Sequence, residues 1–229
     1  MTILEARHIT KTYRRGSAAE IQAIHDVSLT VPAGSFTTLT GPSGSGKSTL
    51  LALLGCMERP TEGQIFFAGE CMQECSDAEM ARMRRRIGFV FQDFALIPRL
   101  TAWENVAVPL IPRGVARRDR YKLARLVLSQ LRLEDKAAIK ARELSGGEQQ
   151  RVAFARSLVT KPEIVLADEP TSNLDEESAK IVVLLLEQAR ANGITFVVSS
   201  HDPSLANLAT HKCTLNKGRV VEDSSKSLI

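Results

Sequence analysis

The chain has 229 residues, 44% of them hydrophobic, and a formal net charge of +4 with a pI near 9.0. That length holds one large domain, or one core with an inserted subdomain, and the mild basic excess permits an anionic partner without demanding one. Four cysteines (Cys56, Cys71, Cys75 and Cys213) with no histidine or further cysteine pair beside them make no zinc framework, and the longest apolar runs, such as Ile181 to Leu186, are too short to span a membrane.

The N-terminus, MTILEARHIT, lacks the apolar centre of a signal peptide. Residues 3 to 35 read as short strands, ILEARHI and then IQAIHDVSLTV, closed by a turn at Pro32-Ala33-Gly34. Tyr13 lies between basic residues in KTYRR, either as a surface aromatic or as a platform on which a purine stacks. Phe36 to Thr40, FTTLT, is β-branched and aromatic and reads as a strand.

That strand runs into GPSGSGKST, residues Gly41, Pro42, Ser43, Gly44, Ser45, Gly46, Lys47, Ser48 and Thr49. The spacing fits G-x-x-x-x-G-K-[ST], a phosphate-binding loop. Glycines let the backbone curl so that its N–H groups point inward at phosphate oxygens. Lys47 supplies a point charge for the outer phosphates, and the Ser48 hydroxyl suits Mg²⁺. Ser48 also opens STLLALLG, whose helical pattern would turn a helix N-terminus toward the anion. Strand, glycine loop and helix together predict a nucleotide-binding protein.

GQIFFAG, residues 63–69, reads as a further early strand, and Ser76 to Arg86 as a helix capped by Ser76 with Glu79. Arg82, Arg84, Arg85 and Arg86 read as a solvated helix face, because no aromatics interleave to build a nucleic-acid surface. IGFVF, residues 87–91, is a buried-type strand ending at Gln92. From there to about residue 143 the pattern is helical but broken by Pro98, Pro109 and Pro112. Its clearest helix spans Arg118 to Leu133, with Leu123, Leu126, Val127 and Leu131 expected on one apolar face. Strands at Ile164 to Ala167 and Thr195 to Ser200 flank a long helix from Glu176 to Asn192, which argues for a mostly parallel sheet. KCTLNKGRVVED reads as a hairpin turning at Lys217-Gly218, followed by a serine-rich tail.

In an open parallel sheet, ligands bind beyond the carboxyl ends of the strands. Four strands end here in functional groups: the phosphate loop, Gln92, the pair Asp168-Glu169, and His201. Asp168 suits the acid that holds Mg²⁺, which leaves Glu169 to orient or deprotonate an attacking water. LSGGE, residues 144–148, carries a capping box of Ser145 with Glu148. Gly146 and Gly147 in the same first turn leave a bare helix N-terminus, a second phosphate-binding surface. Two such surfaces in one chain suggest a nucleotide shared between two copies.

With these motifs in this order, the chain resembles the ATPase subunit of an ATP-binding cassette (ABC) transporter over nearly its whole length. The resemblance implies an α/β fold: a phosphate-loop NTPase core with a mostly parallel sheet, an N-terminal antiparallel β subdomain and an inserted helical subdomain. One ABC ATPase domain would cover residues 1–229, with core at 1–92 and 144–229 and the helical part at about 93–143. By resemblance Tyr13 stacks on adenine, Gln92 senses Mg²⁺ and water, and Ser48 and Asp168 join Gln92 around the metal. Glu169 would be the catalytic base and His201 a γ-phosphate contact. Two copies would sandwich two ATP, each held by one loop and the other copy's Ser145, Gly146 and Gly147. Asp175 belongs to the aspartate loop SNLD, in which Asn173 stands where many members carry alanine. Integral membrane permeases are the implied partners at the cytoplasmic face of the membrane, and no nucleic acid is expected. RRRIGFVFQDFALIPRLTAWENV and LSGGEQQRVAFARSLVTKP resemble the lipoprotein-release and macrolide-efflux branch. The other readings are an importer's ATPase, or one serving a division-type signalling complex.

Overall fold

The computed structural model describes residues 1–17, 19–172 and 174–224. An antiparallel sheet comes first: β1 (Thr2–Tyr13) pairs with β2 (Ile21–Pro32) and with β4 (Glu62–Phe67), which in turn pairs with β5 (Glu70–Cys71). The second sheet has six strands in the order β10-β9-β3-β8-β7-β6. In it β3 (Phe36–Thr40), β6 (Ile87–Val90), β7 (Ile164–Asp168), β8 (Thr195–Ser199) and β9 (His211–Asn216) run parallel, and β10 (Arg219–Asp223) returns antiparallel.

Every residue of β7 and β8 is buried, as expected for strands covered on both faces. Because side chains alternate along a strand, one chain feeds two cores. Leu39, Ile164, Leu166 and Val197 pack beneath the antiparallel sheet with α1 (Lys47–Leu54) and α2 (Asp77–Arg85). Phe36, Val90, Val165, Ala167, Phe196 and Val198 face the helices α3 (Ala102–Ala107), α4 (Arg117–Gln130), α5 (Gly146–Leu158) and α6 (Glu176–Ala191). Among the described residues, 93–143 holds helices and turns with one isolated bridge, Thr101 to Lys140. Its core runs without a break into that of the parallel sheet.

The helix starts follow local chemistry. Ser76, Thr101 and Ser145 each accept from the backbone N–H three residues on, and the glutamate there bonds back to the cap. Asn105 is fully buried and holds the proline-broken segment before α3. Its carbonyl accepts from the Ile97 N–H at 2.7 Å, and its amide donates to the carbonyls of Ile97, Leu100 and Thr101 at 3.1–3.2 Å. The β9–β10 turn places Lys217 and Gly218 at φ 46° and 74°, the two positive values that a two-residue hairpin needs. Of the serine-rich tail expected after Asp223, residues 225–229 lie outside the described residues, as does Asn173.

Two expectations need correction. Leu126 is 60% exposed and not on the apolar face of α4, which is made by Leu123, Ala124, Val127 and Leu128 with Leu131 just beyond. Residues 124, 127, 128 and 131 follow the 3–4 spacing, and 126 lies off that stripe. The arginine cluster in and just after α2 is only in part a solvated face. Arg84 donates to the Cys56 carbonyl at 2.9 Å, and Arg86 pairs with Glu163 at 2.6 Å while lying over the Phe67 ring.

Candidate nucleotide-binding site

The sheet order β3-β8-β7-β6 sets four strand ends side by side, and a cavity of about 880 Å³ opens along that edge. The phosphate loop, from Ser43 to Thr49, lines it together with Gln92, Asp168, Glu169 and His201. These residues span 159 positions of sequence; parallel register alone brings them together, Val90 opposite Ala167 and Asp168 opposite Ser199.

The loop can close tightly because two of its glycines have no Cβ. At Gly41, φ 137°, a Cβ would stand 2.0 Å from the Leu215 carbonyl oxygen; at Gly46, φ 104°, it would stand 2.7 Å from that of Ala23. Gly46 is also the N-cap of α1, and no side chain caps that helix. Its first N–H groups are therefore left for an anion. The Ser45 hydroxyl is buried without a hydrogen-bond partner, a further polar atom that a phosphate oxygen would satisfy. The buried Lys47 ammonium braces the loop by donating to the carbonyls of Gly41 at 2.7 Å and Pro42 at 3.2 Å.

At the acidic end, Ser199 is the residue that sequence reasoning missed. Its hydroxyl donates to Asp168 Oδ1 and accepts from the Glu169 N–H at 3.1 Å. The same N–H reaches the Ser199 carbonyl at 3.0 Å. Glu169 adopts φ 45°, sparsely populated for a residue with a side chain, and these bonds hold it there. The Glu169 carboxylate lies 3.6 Å from His201 Nε2 and is mostly buried. Next to it, Asp202 caps α7 (Pro203–Leu208). Burial pushes the Asp202 carboxyl up, but hydrogen bonds from Ser204 outweigh this and hold it below its ordinary value. Also missed were Ile21, Gln22, Ala23, His25, Lys217 and Gly218, which form the opposite wall. The only signal for these was the hairpin turn itself.

Other candidates are not among the residues that line this cavity. Tyr13 is not among its lining residues; it sits in register with Ile21, which is. Its hydroxyl donates to Glu58 at 2.9 Å, and Lys11 Nζ lies 5.0 Å from the ring centre. Burial first, and then the Glu58 carboxylate, push the Tyr13 hydroxyl up from its usual pKa. Ser145, Gly146 and Gly147 also stand away from the loop, at the start of α5. Gly147 approaches α6, where a Cβ would be 3.4 Å from Ser178 Oγ. Asp175 caps α6 by accepting from the Ser178 N–H at 2.7 Å, which with the Ser178 hydroxyl holds its carboxyl below the usual value. Gly147 and Asp175 thus lie close together at the starts of α5 and α6, whereas Ser172, the first residue of the aspartate loop, lines the cavity.

Ser48, Gln92 and Asp168 bring a hydroxyl, an amide and a carboxylate to one cavity. That all-oxygen donor set is sparse, which suits Mg²⁺, an ion that keeps waters and takes further ligands from phosphates. The residues present therefore fit both groups.

The sequence pattern of the family described as ABC transporter matches residues 24–172. The chain is 39% identical over 225 residues to macrolide export ATP-binding/permease protein MacB 2 of Aeromonas hydrophila, covering 98% of this chain and 35% of that protein. It is 42% identical over 223 residues to MacB of Nitrosomonas europaea, covering 97% of this chain and 34% of that one. With the pyoverdine export ATP-binding/permease protein PvdT of Pseudomonas aeruginosa it shares 40% over 224 residues, 97% of this chain and 34% of PvdT. The chain thus spans about a third of the length of these curated relatives. Among solved structures it superposes on the dimeric ATP-binding cassette MJ0796 bound to ADP and Pi with a TM-score of 0.91. That match has 40% identity and covers 96% of this chain and 97% of the other. One cavity that gathers the loop, Gln92, Asp168, Glu169 and His201 thus sits in a fold shared almost end to end with a solved cassette, and the chain belongs to the ABC transporter family as its ATP-binding cassette.

Proposed function

We propose that this chain hydrolyses ATP as one half of a cassette dimer and that the cycle drives a membrane permease in export or extraction of a substrate. The convergence of loop, amide, carboxylates and imidazole on one cavity carries the chemistry. The first turn of α5 stands outside that cavity, which supports a site completed by a second copy, as does the dimeric state of MJ0796.

In this reading the N–H groups of residues 44–49, with Lys47, hold the β- and γ-phosphates. Catalysis of phosphoryl transfer is then mostly positioning and charge stabilisation. Ser48, Asp168 and Gln92 hold Mg²⁺, which when bound neutralises charge on the phosphate oxygens. Glu169 takes the proton of the attacking water, its carboxylate aimed by the bonds that its own backbone N–H donates to Ser199. His201, 3.6 Å from Glu169, contacts the γ-phosphate. Tyr13 stacks on adenine beside Ile21, and Ser145, Gly146 and Gly147 of a second copy close the site, with Asp175 next to them.

Lys47→Ala tests the loop. Deleting a charge that faces two phosphates is expected to weaken ATP binding by about tenfold or more, a loss of roughly 1.4 kcal/mol or greater. Calorimetry giving unchanged affinity in the folded variant would remove the loop from the site.

Residues 93–143 serve in this proposal as the helical subdomain that meets the permease, which would hold the chain at the cytoplasmic face of the membrane. Export is favoured over import by the names of the similar proteins, MacB and PvdT. No helix among the described residues is long and apolar enough to cross a membrane. In the segment 93–108, Val106 is buried and Phe94, Leu96 and Trp103 pack partly into the core, while Ile97 is exposed. Trp103 makes an edge contact with Tyr121 at 5.1 Å, so its ring is mostly committed to the fold. Charged substitutions at the exposed positions, Ile97→Asp first, are expected to abolish co-purification with the permease or its stimulation of turnover. ATP binding by the isolated chain should stay normal. If no folded variant across 93–108 affects either readout, docking lies elsewhere.

A further inference from the structure

The wall of the cavity opposite the carboxylates contains the β9–β10 turn, for which the catalytic reading has no use. Its backbone is tied to the phosphate loop and to β2 at once. The Gly218 N–H donates to the Ser45 carbonyl at 2.9 Å, and the Gly218 carbonyl accepts from the His25 N–H at 2.8 Å. Gly218 is buried at φ 74°, and a Cβ there would stand 2.6 Å from the Ala23 carbonyl oxygen and 2.7 Å from His25 Cδ2. The first half of the same hairpin reaches the loop's other end, since Leu215 O occupies the space a Cβ at Gly41 would need. Parallel pairing delivers it there, with Thr40 opposite Thr214 and their hydroxyls 3.0 Å apart. The loop is thus gripped between β2 and the hairpin.

A planar trans peptide points its C=O and its N–H in opposite directions. Anchoring the Ser45 carbonyl on the hairpin therefore turns the Gly46 N–H away from the hairpin, toward the anion side of the loop. Gly46 is also the N-cap of α1. We infer that Gly218 is a positioning residue for nucleotide binding: through Ser45 it sets the peptide plane whose N–H meets phosphate, and only glycine fits there. This rests on the cavity being the ATP site.

The full chain is tested as Gly218→Ala beside Val220→Ala, which thins the packing of the same hairpin on the core without touching the loop. Affinity is read by equilibrium titration with a fluorescent ATP analogue in Mg²⁺, stability by melting temperature, and turnover by steady-state kinetics. Gly218→Ala is expected to raise the dissociation constant and KM about tenfold while kcat changes little, because Glu169 and His201 are untouched. Val220→Ala is expected to lower the melting temperature and leave affinity within twofold. A folded Gly218→Ala that binds as the parent does overturns the inference. So does Val220→Ala weakening binding equally, which would make the effect general loosening. If Gly218→Ala does not fold, hydrogen exchange in the unsubstituted chain decides: ATP should slow exchange at the Gly218 and His25 amides, and unchanged rates overturn it. A parent chain that does not bind ATP sinks the proposed function itself, whereas binding by the parent with no effect of Gly218→Ala sinks this inference alone.

Discussion

Glu169→Gln is expected to bind ATP as the parent chain does and to hydrolyse it about 10²–10⁴-fold more slowly, the range lost with a positioned general base. The substitution keeps the size and the backbone of the site. The N–H of residue 169 still reaches the Ser199 carbonyl and hydroxyl, and Asp168 keeps its own bond from Ser199. Only the proton acceptor is lost. With turnover blocked, the ATP-bound dimer should accumulate, visible as a doubled mass in gel filtration with light scattering when ATP is added. A variant that hydrolyses at the parent rate would move the base elsewhere, and His201 would be the next group to replace.

Ser145→Arg is expected to leave ATP binding by the single chain intact, because Ser145 is not part of the cavity. It should nonetheless abolish ATP-dependent dimerisation and reduce turnover by about 10²-fold or more, as for loss of a charge-stabilising donor. Two effects combine. The long cation would occupy the space meant for the opposing phosphate, and it sits at a helix N-terminus where positive charge is unfavourable. Loss of the cap costs about 1 kcal/mol of helix stability, so melting temperature needs to be followed in parallel. The Glu148 carboxyl gives a second handle. Burial pushes it up, but the Ser145 N–H and Lys136 outweigh that and hold it below the usual value. If Ser145→Arg still dimerises on ATP, the shared-site reading is wrong.

What the sequence by itself determined is local. The phosphate loop, the strand before it and the helix after it, the capping boxes at Ser76 and Ser145 and the hairpin turn were legible because each depends on residues within a few positions of one another. Strand ends were legible too, so Gln92, Asp168, Glu169 and His201 could be placed at one edge once a parallel sheet was assumed. Other features depend on partners that no local pattern reports. Ser199 looked like one more residue of the strand Thr195 to Ser200, yet pairing with β7 lets it hold the Asp168 carboxylate and the Glu169 backbone N–H. Leu126 looked like a member of an apolar face until α4 packed on α3 and α5 through the neighbouring stripe. Nothing near Tyr13 in the sequence named Glu58 as the partner of its hydroxyl. Above all, the loop's glycines read as freedom to curl. The fold uses them as clearance, letting the backbone of residues far along the chain, at Ala23 and Leu215, approach more closely than any Cβ would allow. Close approach is a property of two segments at once, and only the folded chain decides it.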